Sequence, residues 1–368
     1  MARLFIPGPT HILPENLNAQ TLPMIGHRSE EYPVLHGSIV ENLKTLLDTQ
    51  NDIFILASSS TGCMEAAIRN TVQDRVLCIV NGAFSERWAC VAENNGKQVD
   101  RLEVEWGTAV TPEMLEKCLN EADYDAVTLV LSETSTGARS PIEALRKVMN
   151  KYPKTLFLVD GVSIVAGEPV KIDHWGIDVC LFGTQKALAL PPGLGFMSIS
   201  PSALARAKTV KNRGHYFDFL NLKKYADRNQ TPATPPISLM YAAQNQLRRI
   251  IEEEGRTQRF LRHVVMAKRV REWGKQYFEL FTDSQYLVNT ITAFRTPEHF
   301  DTAAFIKEAR ILGYILSNGY GPLKNKTFRI GHMGDHTVED IEEMLSAIDS
   351  IVKKQLTLTP LTHEAAYC

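Results

Sequence analysis

Apolar residues run through the chain in two rhythms. Short, largely apolar runs at Ile53–Ala57, Arg75–Val80, Ala126–Ser132, Leu156–Val159 and Ile177–Phe182 read as strands, and the more polar Gln98–Val104 reads as a further one. Runs of this length without polar alternation are buried on both faces, as in parallel sheets. Between them, apolar positions recur every three to four residues and predict helices over Cys63–Val72, Phe84–Asn94, Pro112–Asn120 and Pro141–Asn150. A further helix over Glu30–Leu47 places Val34, Ile39, Leu43 and Leu46 on one side. Such alternation predicts an α/β fold with a mostly parallel sheet between helices, with Gly195–Ser200 as a candidate antiparallel strand.

The pattern changes after residue 200. Residues 201–236 look irregular and end in a proline-rich loop, Thr231 to Pro236. Two long helices follow, Ser238–Glu254 and Gln258–Tyr277. Strand, helix, strand, strand and helix are then predicted at Tyr286–Phe294, Phe305–Leu312, Tyr314–Leu316, Thr327–Gly331 and Val338–Lys353. At the other end, Pro7, Gly8, Pro9 and Pro14 predict an extended arm. The expected organisation is an arm (1–20), a large domain (21–255), a small α+β domain (256–353) and a loose tail (354–368).

Composition narrows the function. The 368 residues are 44% hydrophobic and 22% charged, with a net charge of 40 − 42 = −2. That balance offers no basic excess to nucleic acid and no polybasic tract to a membrane surface. No apolar run approaches the ~18 residues of a spanning helix. Apolar character at the N-terminus stops at Pro7, unlike a signal peptide. A cytoplasmic protein is expected, with its six scattered cysteines reduced and Cys368 free and exposed.

Candidate chemistry lies where two strands end. One closes on Asp160; another runs into Gly183-Thr184-Gln185-Lys186. In parallel sheets, ligands bind at the carboxyl ends of the strands. Pyridoxal phosphate requires a lysine amine for its aldehyde and a carboxylate against its pyridine nitrogen. Taken singly, the acid reads more simply as a helix cap and the lysine as a solvated loop residue; the pair is what points to the cofactor. Ser58 to Gly62, between a strand and a helix, suits an anion through free N–H groups and the helix dipole, or simply caps the helix. It is no Walker loop, since Gly-Lys-Ser/Thr is missing.

Eight separate motifs then fall in order: Pro7-Gly8-Pro9-Thr10, Gly26-His27-Arg28, Ser59-Ser60-Thr61-Gly62, Glu133 to Gly137, Val159-Asp160, Gly183 to Lys186, Thr231 to Pro236, and Phe328 to Gly331. Over about residues 4–353 the chain resembles the class V aminotransferases of pyridoxal-phosphate fold type I. It is nearest in pattern to the alanine/serine–glyoxylate and 2-aminoethylphosphonate group. The resemblance implies pyridoxal phosphate on Lys186, with Asp160 at the pyridine nitrogen. Ser59, Ser60, Thr61 and Gln185 would meet the phosphate. Phe84 would stack on the ring and Thr134 would lie near its phenolic oxygen. Thr234 would reach the phosphate of the other subunit of a homodimer, with Thr231 standing where some relatives carry tyrosine. Arg329 would bind the substrate's α-carboxylate. Its neighbours Phe328 and Ile330 point to the opposite face of a strand, and its planar fork suits a carboxylate.

The resemblance implies ping-pong transamination from a small amino acid, such as alanine or serine, to a 2-oxo acid such as glyoxylate or pyruvate. A 2-aminoethylphosphonate or phosphoserine substrate would need a further anion site, for which His27 and Arg28 are candidates. Cysteine desulfurases usually carry histidine before the lysine, where this chain has Gln185. A catalytically degenerate scaffold would not be expected to keep Asp160, Lys186 and Arg329. A nicotinamide dehydrogenase would want a Gly-x-Gly-x-x-Gly turn that is absent. His332 and His336, across a Gly-rich turn and without a glutamate base, read as non-metal residues.

Overall fold

A computed structural model describes residues 2–357. Seven strands form one sheet in the spatial order Asp52–Leu56, Gly195–Ile199, Val179–Gly183, Leu156–Asp160, Ala126–Val130, Arg75–Val80, Gln98–Glu103. All run parallel except Gly195–Ile199, which pairs antiparallel with both of its neighbours. This is the mostly parallel architecture that the apolar runs predict. Alternation along each strand feeds two cores: Ile53, Ile55, Phe157 and Val159 pack in one, and Phe54, Leu56, Leu156 and Leu158 in the other.

A four-stranded antiparallel sheet stands apart, in the order Glu279–Leu280, Ile291–Arg295, Thr327–Gly331, Ser317–Asn318. Its core is aromatic, with Phe278, Phe294, Phe305 and Phe328 packed edge to face or tilted. The N-terminal Arg3–Leu4 pairs parallel with Tyr314–Ile315, which fastens the start of the chain beside this sheet.

Several sequence expectations need correction. Residues 1–20 are not wholly extended: Pro14 opens a helix, Pro14–Ala19, since a proline at the first helical position forfeits no hydrogen bond. Residues 201–236 contain two helices, Pro201–Thr209 and Phe219–Ala226. Ser200 and Asp218 cap them by accepting from Ala203 N and Leu220 N. Val34 is 71% exposed; the buried face of the Glu31–Leu46 helix is Tyr32, Leu35, His36, Ile39, Leu43 and Leu46. The strand expected over Tyr286–Phe294 begins at Ile291, and a short strand, Glu279–Leu280, precedes it. The last helix runs to Thr357, beyond the expected start of a loose tail at 354. The remainder of that tail, Cys368 included, lies outside the described residues. Among the described residues no helix is long and apolar enough to cross a membrane, and Cys63, Cys78, Cys90, Cys118 and Cys180 are free thiols.

One buried cation ties these parts together. The helix Ile237–Arg248 widens into a π-helical stretch, Arg249–Glu254, before Gly255 turns the chain with φ +78°. On the next helix, Arg256–Gly274, Arg259 is fully buried. It pairs with Glu254 at 2.8 Å and Asp335 at 2.9 Å, and donates to the carbonyls of Ala166 and Ala187. Removing one partner of such a network strands the other charges in a dry interior. Arg259→Met is expected to lower unfolding free energy by about 3–5 kcal/mol, measured as a fall in the urea midpoint. An unchanged midpoint would contradict this role.

Candidate active site

The acid and the lysine both sit where sheet strands end. Asp160 is the last residue of its strand and is buried; its Oδ1 accepts from Val162 N at 2.7 Å. Burial pushes the carboxyl up to about 7, the Val162 N–H opposes that, and nearby Glu133 adds to it while Lys186 and Arg87 oppose it. Lys186 follows the strand Val179–Gly183 and is 8% exposed. Its Nζ donates to the carbonyl of Pro7 at 2.5 Å. Burial pulls the ammonium down to about 8, with Arg329 adding to the effect and Asp160 opposing it.

The proline-rich start of the chain wraps this lysine. Gly8 has φ +125°, and a Cβ there would lie 2.6 Å from Lys186 Cδ, so only glycine leaves room for the side chain. Thr10 N donates to the carbonyl of Gln185 and Thr10 Oγ1 to that of Lys186, at 3.2 and 2.9 Å. From the opposite side Arg259 holds the carbonyl of Ala187.

The Ser/Thr turn is also in place. Ser59 caps the helix Ser60–Thr71 by accepting from Gly62 N. Ser60 Oγ is buried without a hydrogen-bond partner, an unmet demand next to free helix N–H groups. Gly183 explains how close this turn comes to the lysine loop. A Cβ there would stand 2.5 Å from Ser60 Oγ and 2.7 Å from Gln185 Oε1. Ser60 and Gln185 therefore meet over one glycine.

On the other flank, a buried carboxylate sets the position of Phe84. Glu133 accepts from the backbone N–H groups of Phe84, Ser85 and Ser135 and from two serine hydroxyls. It caps the helix Ala83–Asn94. A Cβ on Gly82 would lie 2.3 Å from Glu133 Cγ, so that approach needs glycine. Phe84 then faces Lys186, with Nζ 5.9 Å from the ring centroid. Thr134 Oγ1 bonds Ser163 Oγ at 2.5 Å, and its carbonyl accepts from Arg329 Nη1 at 3.0 Å. Arg329 otherwise donates to the carbonyl of Asn318. Its side chain is buried with only neutral acceptors, which pulls the guanidinium down to about 10.

Not every expected residue is brought to this cluster. Thr231 is buried elsewhere: its hydroxyl donates to the carbonyl of Ala233 at 2.8 Å and bonds Tyr32 OH at 3.3 Å. Its hydroxyl proton is thus engaged within the subunit, away from Lys186 and Asp160. Thr234 is exposed on the same loop, with no bond to Lys186 or Asp160. Arg28 is likewise turned away, donating to the carbonyl of Pro232 and lying over the Tyr225 ring. His332 bonds Thr292 Oγ1, and His336 bonds the carbonyl of Leu4 while stacking on Phe5. Both are pieces of the packing.

Four contributors were missed in the sequence: the Pro7 carbonyl, Glu133, Tyr320 and Arg87. Arg87 had a readable signal, since it follows Phe84 by three residues and so shares its helix face. It donates to Thr61 Oγ1 and Tyr320 OH, and its guanidinium lies 4.8 Å from the Phe84 centroid.

The chain as a whole is similar to known aminotransferases. The family described as aminotransferase class-V matches residues 14–269. An uncharacterised aminotransferase of Methanocaldococcus jannaschii is 38% identical over 358 residues, covering 95% of this chain and 92% of that protein. The L-aspartate–glyoxylate aminotransferase of Paracoccus denitrificans is 35% identical, covering 91% and 87%. Among solved structures, the alanine–glyoxylate aminotransferase of a Nostoc species superposes with a TM-score of 0.91 at 28% identity, covering 96% of each chain.

The dry setting of Lys186 has a direct readout. In cofactor-free protein, trace acetylation of Lys186 followed by peptide mass spectrometry is expected to rise with pH around a midpoint near 8. The amine loses its proton there, rather than near the ordinary lysine value of 10.5. A midpoint above 10 would contradict the burial of this amine.

Proposed function

The chain belongs to the class V aminotransferases, and on that footing we propose that it transfers an amino group from a small amino acid, such as alanine or serine, to glyoxylate. The family implies pyridoxal phosphate, and the residues present fit it. The single observation that carries the reading is the geometry around Lys186: a dry amine beside a buried acid, one turn from a helix N-terminus with an unpartnered serine hydroxyl. The named relatives that transaminate glyoxylate support the acceptor.

Ser59, Ser60, Thr61 and Gln185 would hold the phosphate, Phe84 the ring face, Thr134 the phenolic oxygen and Asp160 the pyridine nitrogen. Bound pyridoxal phosphate supplies an aldehyde that takes up amines and a ring that accepts the electron pair left when Cα loses its proton. Asp160 keeps a proton on the pyridine nitrogen. Burial, set against the Val162 N–H and the neighbouring charges, holds its carboxyl near 7, and a cation placed against it favours the charged form. Lys186 would take the proton from the substrate's Cα as general base and then, as general acid, deliver a proton to the carbon that comes from the cofactor's aldehyde, a role suited to an amine brought down to about 8. Arg329 orients the α-carboxylate, which is positioning. The exposed Thr234 would serve a second subunit's phosphate, which makes the working unit a homodimer. A desulfurase is disfavoured because, among the described residues, Cys63, Cys78 and Cys180 are buried in the cores and Cys90 and Cys118 lie within helices, so none sits on a loop.

Purified holoenzyme given alanine or serine with glyoxylate is expected to release glycine, read by mass spectrometry. No glycine from any amino donor would overturn the proposal. Lys186→Ala is expected to lose the cofactor's visible absorbance and nearly all turnover. Arg329→Gln is expected to raise KM by about 10- to 100-fold, the worth of a charged hydrogen-bond pair. A KM close to wild type would remove Arg329 from substrate binding.

A further inference from the structure

Two cations meet at the same phenol ring, and the transamination reading uses only one of them. Arg329 reaches Tyr320 from the strand Thr327–Gly331, with its guanidinium carbon 5.8 Å from the ring centroid. Arg87 reaches it from the helix Ala83–Asn94, with Nη2 3.3 Å from the Tyr320 hydroxyl. The only other side-chain hydrogen bond of Arg87 among the described residues is to Thr61 Oγ1, at 3.4 Å. Both are long and both go to neutral hydroxyls. Neither is an ion pair.

Other arginines of this chain that lie near carboxylates do form ion pairs. Arg259 pairs with two carboxylates and Arg101 with Glu86 and Glu93. Glu86, the neighbour of Arg87 in sequence, is thereby drawn to Arg101. Arg87 is half-buried and held over Phe84, so its charge is spread over the site and not over open water. After burial, its field is among those acting on both Lys186 and Asp160. An unpaired, partly desolvated guanidinium calls for an anion, and its planar fork is suited to a carboxylate or phosphate.

We propose that Arg87 is the subsite for a second anionic group, so that among amino donors to glyoxylate the enzyme prefers one with an acidic side chain over alanine or serine. Resting on the transamination reading, it assigns the α-carboxylate to Arg329 and the side-chain anion to Arg87, with Tyr320 between them. The side chain of aspartate is one such anion and that of phosphoserine another. Sites built to pair a polar group discriminate strongly against substrates that lack it, because the site's own charge is then left uncompensated. The anion site expected at His27 and Arg28 is not needed, and Arg28 is occupied elsewhere.

The test compares kcat/KM for aspartate, phosphoserine and alanine, with glyoxylate as acceptor, in the wild-type holoenzyme and in Arg87→Gln and Arg87→Lys. The proposal expects an acidic donor to be preferred in the wild type. Arg87→Gln should lower the acidic-to-alanine ratio about 10- to 100-fold, and Arg87→Lys should recover part of it. Preference for phosphoserine alone supports the subsite and identifies its anion as a phosphate. A ratio unmoved in Arg87→Gln, with weakened cofactor binding by absorbance titration, would overturn it and assign Arg87 to the cofactor phosphate through Thr61. Wild-type turnover of alanine but of neither acidic donor would also overturn it, leaving the transamination reading intact. Absence of transamination with every donor would sink both. Should the variants fail to fold, wild-type inhibition decides: succinate should compete more strongly than butyrate, and equal inhibition would contradict the subsite.

Discussion

A nearly dry lysine amine is the constraint around which this molecule is arranged. Taking Lys186 out of water lowers its proton affinity from 10.5 to about 8, which at neutral pH costs about 3 kcal/mol of stability. The sign follows from proton counting. Between those two values the unfolded chain binds the extra proton, so the cost is full below pH 8 and fades as pH rises toward 10.5. The surrounding structure has to offset it. The Pro7 carbonyl, the glycine at position 8, the Thr10 hydroxyl and the Arg259 grip on Ala187 all hold the lysine segment in place. Asp160 runs the other way. Its raised carboxyl means that the folded chain holds the extra proton between 3.8 and about 7, so stability falls as pH rises through that window. Strain of this kind is common where a fold keeps groups ready for chemistry.

The arrangement also explains why the site draws on both sheets. Parallel strands bring Asp160 and the lysine loop to one edge, where helix N-termini converge. That edge does not carry the proposed anchor for the α-carboxylate. The smaller antiparallel sheet does, through Arg329, whose fork is fixed by the carbonyls of Asn318 and Thr134. Thr134 belongs to the large sheet's side, so the anchor is itself fastened across the junction. The aromatic packing behind Phe328 makes that strand rigid.

Much of this was legible in the sequence, for identifiable reasons. Doubly buried strands leave continuous apolar runs, so the central sheet and its end residues Asp160 and Lys186 could be placed from pattern alone. Short helices capped by Ser200 and Asp218 carry little periodicity, and the region around them read as loop. Thr231 looked available because a loop threonine usually is; only the fold shows Tyr32 and Ala233 claiming its hydroxyl. Glu133 and Arg87 act through neighbours distant in sequence, 48 residues away for Ser85 and 233 for Tyr320. A linear reading weighs such residues one at a time and has no means of seeing that one is satisfied and the other is not.

The claim that Lys186 is the cofactor's attachment point can be examined without any substrate. Holoenzyme reduced with borohydride and digested should carry the mass of the reduced cofactor on the peptide containing Lys186, at a stoichiometry near one per chain. Label on any other lysine, or none on Lys186, would contradict the account.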